Sequence, residues 1–339
     1  MIIMFFNIHG LYLKVEGDSK VEKYFKEEYN FFKQEDVERE PDILVKGVTS
    51  IIDAPEYEIS RMREGRKKLH IPLSEINEKL VIRFERGLMP AYIMYMLEPI
   101  IYLKQLYKGK ALIHACSLAL EDFSIVFPSW GGTGKTSIVL YFIEKGFNYM
   151  SDDWTFIGYE GKAYAYPRRI RIYHYNLDIF PWLKTMLKNK KLIYRMKILD
   201  FLRRRSPSRF LRIAFNRLTP YYSVKPKEIF PETNISLTKD IRYIFLLKKS
   251  IKNRTEISEI DIKELMISIK NCILYERNYF FQFYHRYAFF NGEIELIEKS
   301  IDKLIEVLRM AFANKELYRI DVPIKINVRE IYDMIAKII

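Results

Sequence analysis

An apolar stretch from Ile125 to Phe127 is followed by a glycine-rich run that ends in Gly134, Lys135 and Thr136. The next residues, 137–144, are mostly apolar and predict a helix. Glycines between a strand and a helix let successive backbone N–H groups face one concavity, and the start of the helix adds positive partial charge. The lysine would reach the terminal phosphates of a nucleotide, and the threonine hydroxyl would contact Mg²⁺. This order of residues therefore predicts a Walker A phosphate-binding loop (P-loop) for a nucleoside triphosphate.

The predicted nucleotide contacts come from eight consecutive residues of this loop. They are Trp130, Gly131, Gly132, Thr133, Gly134, Lys135, Thr136 and Ser137. The motif normally starts with glycine, but Ser129 stands there in this chain, which requires either a backbone φ that stays negative or local strain. The alternative interpretation is a glycine-rich turn that binds no ligand. The setting between a strand and a helix favours the phosphate-binding loop.

Two adjacent carboxylates, Asp152 and Asp153, follow the predicted helix. Gly146 is a suitable residue to end that helix, and the apolar residues 147–150 then predict a short strand. At the end of a strand beside a P-loop, one carboxylate can hold a metal ion and the other can accept a proton from an attacking hydroxyl. We therefore predict Asp152 and Asp153 as catalytic and metal-site residues, with Thr136 as a further metal contact. Solvated turn residues are the alternative.

One histidine, His114, interrupts a run from Ala111 to Leu120 that predicts a single buried strand. A lone histidine in an apolar run is usually a core residue. Its position becomes informative only with the two motifs that follow, because His114 lies 21 residues before Lys135, and the aspartates lie 17 and 18 residues after Lys135.

In order and spacing, these features resemble the core of the HPr kinase/phosphorylase superfamily, whose sister group is the ATP-dependent phosphoenolpyruvate (PEP) carboxykinases. The resemblance extends from about Gly109 to Arg171, and no downstream glutamate of a recognisable HPr kinase motif follows. It implies catalytic roles for His114, Lys135 and the aspartate pair, and ATP and Mg²⁺ as cofactors. The loop is also similar to that of ParA and MinD ATPases, which require a lysine where this chain has Trp130.

The resemblance implies an α/β (α+β) fold with a PEP carboxykinase-like P-loop core. We expect a small N-terminal α+β domain at 1–85, a catalytic domain at 86–177 and 236–339, and a basic helical insertion at 178–235. The N-terminal part shows a hairpin pattern around His9 and Gly10.

Local patterns predict further elements along the chain. Helices are expected over Val21–Phe32, Leu88–Leu103, Ile294–Phe312 and Asn327–Ile339. Strands are expected over Asp42–Val45, Leu80–Phe84, Thr155–Tyr159, Ala163–Tyr166 and Ile241–Leu247. The aromatic segment from Tyr275 to Phe290 predicts helix core rather than a surface that stacks nucleic-acid bases.

Positive charge is concentrated between Lys184 and Arg217, where twelve basic residues face one acidic residue, so this segment holds +11 of the net charge of +13. Apolar residues recur through it at helical spacing and predict a basic amphipathic helix that ends near Ser206. A solvated helical face is one interpretation. The other is a polyanionic or acidic partner, which could be an acidic protein, RNA, DNA or an anionic membrane. Arginines that could bind substrate or phosphate are Arg168, Arg169, Arg171, Arg203, Arg204 and Arg205.

Composition limits the class of protein. The balance of 49% hydrophobic and 29% charged residues is typical of a globular protein, and no apolar run reaches membrane-spanning length. Two cysteines, Cys116 and Cys272, cannot build a disulfide framework, and with no secretory signal they favour the cytoplasm. The oligomeric state stays open.

The sequence therefore predicts an ATP- and Mg²⁺-dependent kinase that phosphorylates a hydroxyl of a protein or small molecule. Two alternatives stay open. One is a kinase of RNA or nucleotides that the basic segment guides, and the other is a non-catalytic module that responds to nucleotide. Reverse phosphorolysis also stays open, because the superfamily includes enzymes that perform it.

Overall fold

The computed structural model describes residues 2–35, 39–61, 66–187, 190–205, 221–231 and 235–339. It has a mixed α/β architecture with two large sheets and a two-stranded ribbon. Within the described ranges, no helix combines the length and apolarity that a membrane span requires.

The first sheet has seven strands in the order β3-β1-β2-β4-β7-β6-β5. These strands are β1 Ile2–Ile8, β2 Leu11–Gly17, β3 Lys33–Gln34, β4 Ile43–Val48, β5 Ile59–Arg61, β6 Lys68–His70 and β7 Leu80–Glu85. Alternate side chains of β1 are buried, and β1 pairs with β2 across a turn in which His9 and Gly10 both have positive φ. The predicted hairpin and the strands near Asp42 and Leu80 are therefore confirmed.

Two helices pack against this sheet. Helix α1 (Ser19–Glu28) is capped by Asp18, whose carboxylate accepts hydrogen bonds from two backbone N–H groups of the first turn. The predicted helix over Val21–Phe32 thus starts earlier, and its last residues form a separate 3₁₀ turn. Helix α2 (Pro90–Tyr107) is buried almost throughout and has proline in its first turn, as predicted.

The second sheet has nine strands. They are β8 Lys110–Ile113, β9 Ala115–Leu120, β10 Phe123–Pro128, β11 Asn148–Ser151, β12 Thr155–Gly158, β13 Lys162–Tyr164, β16 Thr238–Lys249, β17 Glu256–Glu259 and β18 Glu316–Val322. Strands β14 (Ile170–Tyr173) and β15 (Tyr221–Val224) form the separate ribbon. The long central strand β16 pairs with β10 and β18 in parallel and with β13 antiparallel, so the predicted strand from Ile241 to Leu247 is confirmed and extended.

The single strand predicted from Ala111 to Leu120 is wrong, because the chain breaks at His114. Strand β8 pairs with β12, whereas β9 pairs with β10 and β11. In the sheet, each strand is hydrogen-bonded to the next in the order β9, β10, β16, β13, β12 and β8. Because of the break, the residues before His114 pair at one end of this series of strands and the residues after it pair at the other. His114 therefore lies between β8 and β9, where the pairing partners change.

Ten helices in the described residues follow β10 in the chain. They are α3 Lys135–Glu144, α4 His174–Ile179, α5 Trp182–Leu187, α6 Lys190–Arg205, α7 Pro226–Ile229, α8 Ile262–Glu276, α9 Asn278–Asn291, α10 Glu295–Glu298, α11 Ser300–Ala311 and α12 Val328–Ile335. The aromatic segment forms α9 and buries one face in the core, as predicted. The helix predicted over Ile294–Phe312 is divided into α10 and α11, and α8 was not predicted.

The basic segment is helical in α5 and α6, as its spacing predicts. Met196 and Leu199 bury one side of α6, whereas Tyr194 and Phe201 are exposed. The predicted end near Ser206 lies outside the described residues.

Arg168, in the segment before β14, pairs with carboxylates of both α1 and α2. Its guanidinium donates to Glu28 at 2.6 Å and also to Glu98. Burial raises the pKa of Glu98, and the charge of Arg168 opposes that rise. The arginine predicted to bind phosphate therefore stabilises the contact between α1, α2 and the segment before β14.

Replacing Arg168 by alanine should lower the free energy of unfolding by about 3 kcal/mol, since the partly buried carboxylates lose their cation. Urea unfolding at neutral pH measures the change. The control is Arg254→Ala, because Arg254 is exposed and its pair with Glu256 should contribute nothing measurable. Equal effects of the two substitutions would contradict a structural role for Arg168.

Candidate functional site

The loop between β10 and α3 turns at two glycines with positive φ. Gly132 and Gly134 have φ of 75° and 104°, a region that favours glycine. A Cβ atom at Gly134 would also lie 2.3 Å from Ile326 Cδ1, so a side chain there would require Ile326 to move. Lys135 Nζ donates to the carbonyl of Trp130 at 3.3 Å, which places the ammonium group inside the turn. The predicted order of strand, loop and helix is confirmed.

Ser129 enters this loop in a different way from glycine. It forms an isolated parallel bridge with Leu247, and its N–H donates to the carbonyl of His114 at 3.1 Å. Its φ is not positive. The loop therefore starts as an extension of β10, and a serine is compatible with that backbone.

Asp152 lies at the end of β11 with a buried carboxyl group. Its Oδ2 accepts a hydrogen bond from Thr136 Oγ1 at 3.2 Å, whereas its Oδ1 is buried and has no hydrogen-bond partner among the described residues. Burial, with the neighbouring Asp153 charge, raises the pKa of Asp152 to about 7. An unsatisfied buried carboxylate oxygen beside a threonine hydroxyl is a donor set that fits Mg²⁺.

Asp153 faces a different environment, although it is the next residue. Its side chain is half exposed, and Oδ1 accepts a hydrogen bond from His114 Nε2 at 2.8 Å and lies 4.0 Å from Lys135 Nζ. Desolvation alone would raise its pKa. The hydrogen bond and charge of His114, with the charges of Lys135 and Arg171, instead hold the pKa of Asp153 well below its usual range. This carboxylate is therefore ionised and faces the cavity.

A cavity of about 270 Å³ joins these groups. Its walls come from the P-loop, the aspartate pair, His114, and the segment at β14 and β15. Among the three predicted arginines here, Arg168 and Arg169 are paired with carboxylates of α1. Arg171 lies over the ring of Tyr221 at 5.3 Å and forms no salt bridge within the described residues. Arg171 is therefore the arginine that is available for a ligand.

Three loop residues that were predicted to contact the nucleotide do not line this cavity. The Ser137 hydroxyl is buried and accepts a hydrogen bond from Asn176 Nδ2 at 3.0 Å. Trp130 and Thr133 line a neighbouring, mainly apolar cavity of about 390 Å³. The Trp130 ring packs on Tyr275 with centroids 4.6 Å apart.

The predicted arginines of the basic segment lie on α6. Arg205 stacks over Phe201 at 4.6 Å and does not line the cavity that holds the aspartate pair. The side chains of Arg203 and Arg204 lie outside the described part of the structure.

Two functional candidates were not predicted from the sequence. Glu276 at the end of α8 lines the cavity, and its Oε1 lies 3.8 Å from His114 Nδ1. Cys272, one turn earlier, has its sulfur 3.3 Å from the same nitrogen. Burial, with the neighbouring Glu276 charge, raises the pKa of the Cys272 thiol to about 12. Their spacing of four residues on α8 was the only local signal, and it does not indicate His114 as the partner.

No protein-family model matches this sequence, and a search of curated proteins finds no match. The geometry and electrostatics of this cavity are therefore the observations that bear on function.

The raised pKa of Asp152 predicts a change of stability with pH. Between about pH 4 and pH 7 the folded state keeps a proton that the unfolded state loses, so this group lowers the stability as the pH rises through that window. At pH 8, the free energy of unfolding of Asp152→Asn should therefore exceed that of wild type by at most about 4 kcal/mol, and at pH 4 the two should differ little. Urea unfolding at the two pH values measures the difference. The exposed Asp122→Asn variant is the control. A difference that does not depend on pH would show that Asp152 is not protonated in the folded protein.

Proposed function

We propose that this protein is an ATP- and Mg²⁺-dependent kinase of the HPr kinase-like type, built on a PEP carboxykinase-like P-loop core. The observation that carries the proposal is the convergence of the glycine loop, Lys135, Thr136 and the aspartate pair on one cavity. These groups come from two strand ends of one sheet, β10 and β11, which lie on either side of β9. Such an arrangement supports phosphoryl transfer through positioning and charge neutralisation.

The loop amides, Lys135 and the start of α3 would hold the triphosphate of ATP. Thr136 and Asp152 would hold Mg²⁺, and the unpartnered Oδ1 of Asp152 is the atom that supports this role. The bound ion would supply positive charge to the phosphate oxygens. Lys135 and Arg171, whose charges both act on Asp153, would add positive charge against the negative charge that develops in the transition state.

Asp153 would act as the base. Its ionised carboxylate can accept the proton of an acceptor hydroxyl while the hydroxyl oxygen forms a bond to the γ-phosphorus. The bond between that phosphorus and the β–γ bridging oxygen breaks, and ADP leaves with the electron pair. His114 holds the base in place through the 2.8 Å hydrogen bond from Nε2. This assignment separates the two aspartates into a metal ligand and a base.

The acceptor is a hydroxyl of a protein or a small molecule. A polyanionic or acidic partner, such as an acidic protein or RNA, would be attracted by the basic residues of α6, which include Lys197 and Arg205. Two buried free thiols and the use of ATP are consistent with a cytoplasmic enzyme.

Lys135→Ala should reduce phosphoryl transfer from ATP by about 10²–10³-fold, because one charge at the transferred phosphate is lost. The measurement follows label from γ-labelled ATP into extract of the source cells, divided by protease and ribonuclease digestion. Lys145→Ala is the matched control, since Lys145 follows the same helix at its other end and is exposed.

Label that depends on Lys135 and disappears with protease identifies a protein acceptor, whereas loss with ribonuclease identifies RNA. Label that survives both identifies a small molecule. Equal transfer by wild type and Lys135→Ala would exclude the P-loop from the reaction. ATP binding without any transfer would favour a nucleotide-responsive binding module.

A further inference from the structure

Three side chains with metal-binding atoms meet beside the P-loop. They are His114 at the strand break and Cys272 and Glu276 on α8, and their ligand atoms all lie within 4.8 Å of one another. His114 and Cys272 are buried, and Glu276 is one-third exposed. The cluster combines an imidazole, a thiol and a carboxylate, a set that differs from the oxygen ligands around Asp152.

Two of the three distances between ligand atoms are close to those around a tetrahedral metal ion. His114 Nδ1 lies 3.3 Å from Cys272 Sγ and 3.8 Å from Glu276 Oε1. With Zn–S near 2.3 Å and Zn–N or Zn–O near 2.0–2.2 Å, a tetrahedral ion separates its ligand atoms by about 3.4–3.6 Å. The remaining distance, between Cys272 and Glu276, is at most 4.8 Å, so side-chain rotation of Glu276 would bring all three atoms onto one ion.

Backbone geometry holds two of these ligands on one face. Cys272 and Glu276 are four residues apart on α8, so their side chains lie one above the other. The third ligand comes from the junction between β8 and β9, and α8 packs in the same core cluster as β8. The ligands are therefore fixed by two separate elements and not by a mobile loop.

The other ring nitrogen of His114 supports the same conclusion. Metal-binding histidines usually donate their second N–H to a carboxylate, which fixes the tautomer and the ring orientation. His114 has this partner in Asp153, at 2.8 Å from Nε2. The ring also lies against Trp154, with centroids 5.1 Å apart. Nδ1 is thus directed at Cys272 and Glu276.

The geometry points to a zinc site formed by His114 Nδ1, Cys272 Sγ and Glu276 Oε1, with its fourth position open to the cavity of the aspartate pair. A thiolate and an imidazole favour Zn²⁺ over Mg²⁺, which prefers oxygen ligands. Zinc binding displaces the thiol proton of Cys272 to solvent. One thiolate and one carboxylate then balance the charge of the ion.

The site would connect α8 to the base of the proposed reaction. With zinc on Nδ1, the imidazole proton stays on Nε2 and is donated to Asp153. The ion would therefore fix the orientation of His114 without contacting the phosphate loop. The zinc inference does not depend on the kinase proposal, because its ligands and its readout differ.

The experiment measures zinc directly. The full-length protein, incubated with equimolar Zn²⁺ and desalted, should carry about one zinc by mass spectrometric metal analysis. Cys272→Ser, which nearly keeps the side-chain volume, should retain less than about a tenth of that amount, and Cys116→Ser, at the other buried cysteine, should retain all of it. Replacement of zinc by Co²⁺ should give a thiolate-to-cobalt absorption band in wild type and Cys116→Ser but not in Cys272→Ser.

A second variant tests the partner of His114. Asp153→Asn should weaken zinc binding by about 10–100-fold in competition with a chromogenic chelator. The proposed site would be overturned if wild type retained no zinc after desalting, or if Cys272→Ser retained as much zinc as wild type. Binding of labelled MgATP, measured in parallel by equilibrium dialysis, keeps the two proposals apart. If the protein binds zinc but not MgATP, the kinase proposal is wrong and the zinc site stands. If it binds MgATP but not zinc, only the zinc site is wrong.

Discussion

The break in the strand at His114 is the constraint on which the rest of the site depends. One run of chain pairs with β12 before this residue and with β10 and β11 after it. The carbonyl of His114 accepts a hydrogen bond from Ser129 N–H at the start of the P-loop, and its ring holds Asp153. The backbone and the side chain of one residue therefore set the position of the loop relative to the carboxylate. In a regular strand, the residues on both sides of His114 would have kept the same neighbouring strands.

The electrostatics of the site follow from this geometry. Asp152 and Asp153 are adjacent, but only Asp153 has a hydrogen bond from His114, so the two pKa values move in opposite directions. Asp152 is buried and contacts a neutral hydroxyl, which leaves one oxygen without a partner. Two neighbouring carboxylates cannot both be ionised without positive charge nearby. This difference gives a structural basis for separate roles of the two aspartates.

The elements that were predicted correctly are determined by near neighbours. The turn at His9 and Gly10, the proline at the start of α2, and the glycine loop before α3 all combine a local backbone requirement with a regular apolar pattern. The errors arise where distant contacts override that pattern. The run from Ala111 to Leu120 is apolar throughout, and no local feature except His114 itself marks the change of pairing partner. Helix α8 was missed, although Asp261 caps it as a local start signal.

The sequence by itself identified the glycine loop, Lys135, Thr136 and the aspartate pair as candidate site residues, because all of them lie within one strand–loop–helix–strand unit. The tertiary structure alone decided that Arg168 pairs with carboxylates and that Arg171 stays available to a ligand. It also decided that Cys272, 158 residues from His114, lies beside it. Sequence patterns report which face of an element is buried, but not which distant element covers that face. The strand pairing in the second sheet and the packing of α8 supply that information, because they bring side chains from remote parts of the chain within hydrogen-bonding distance.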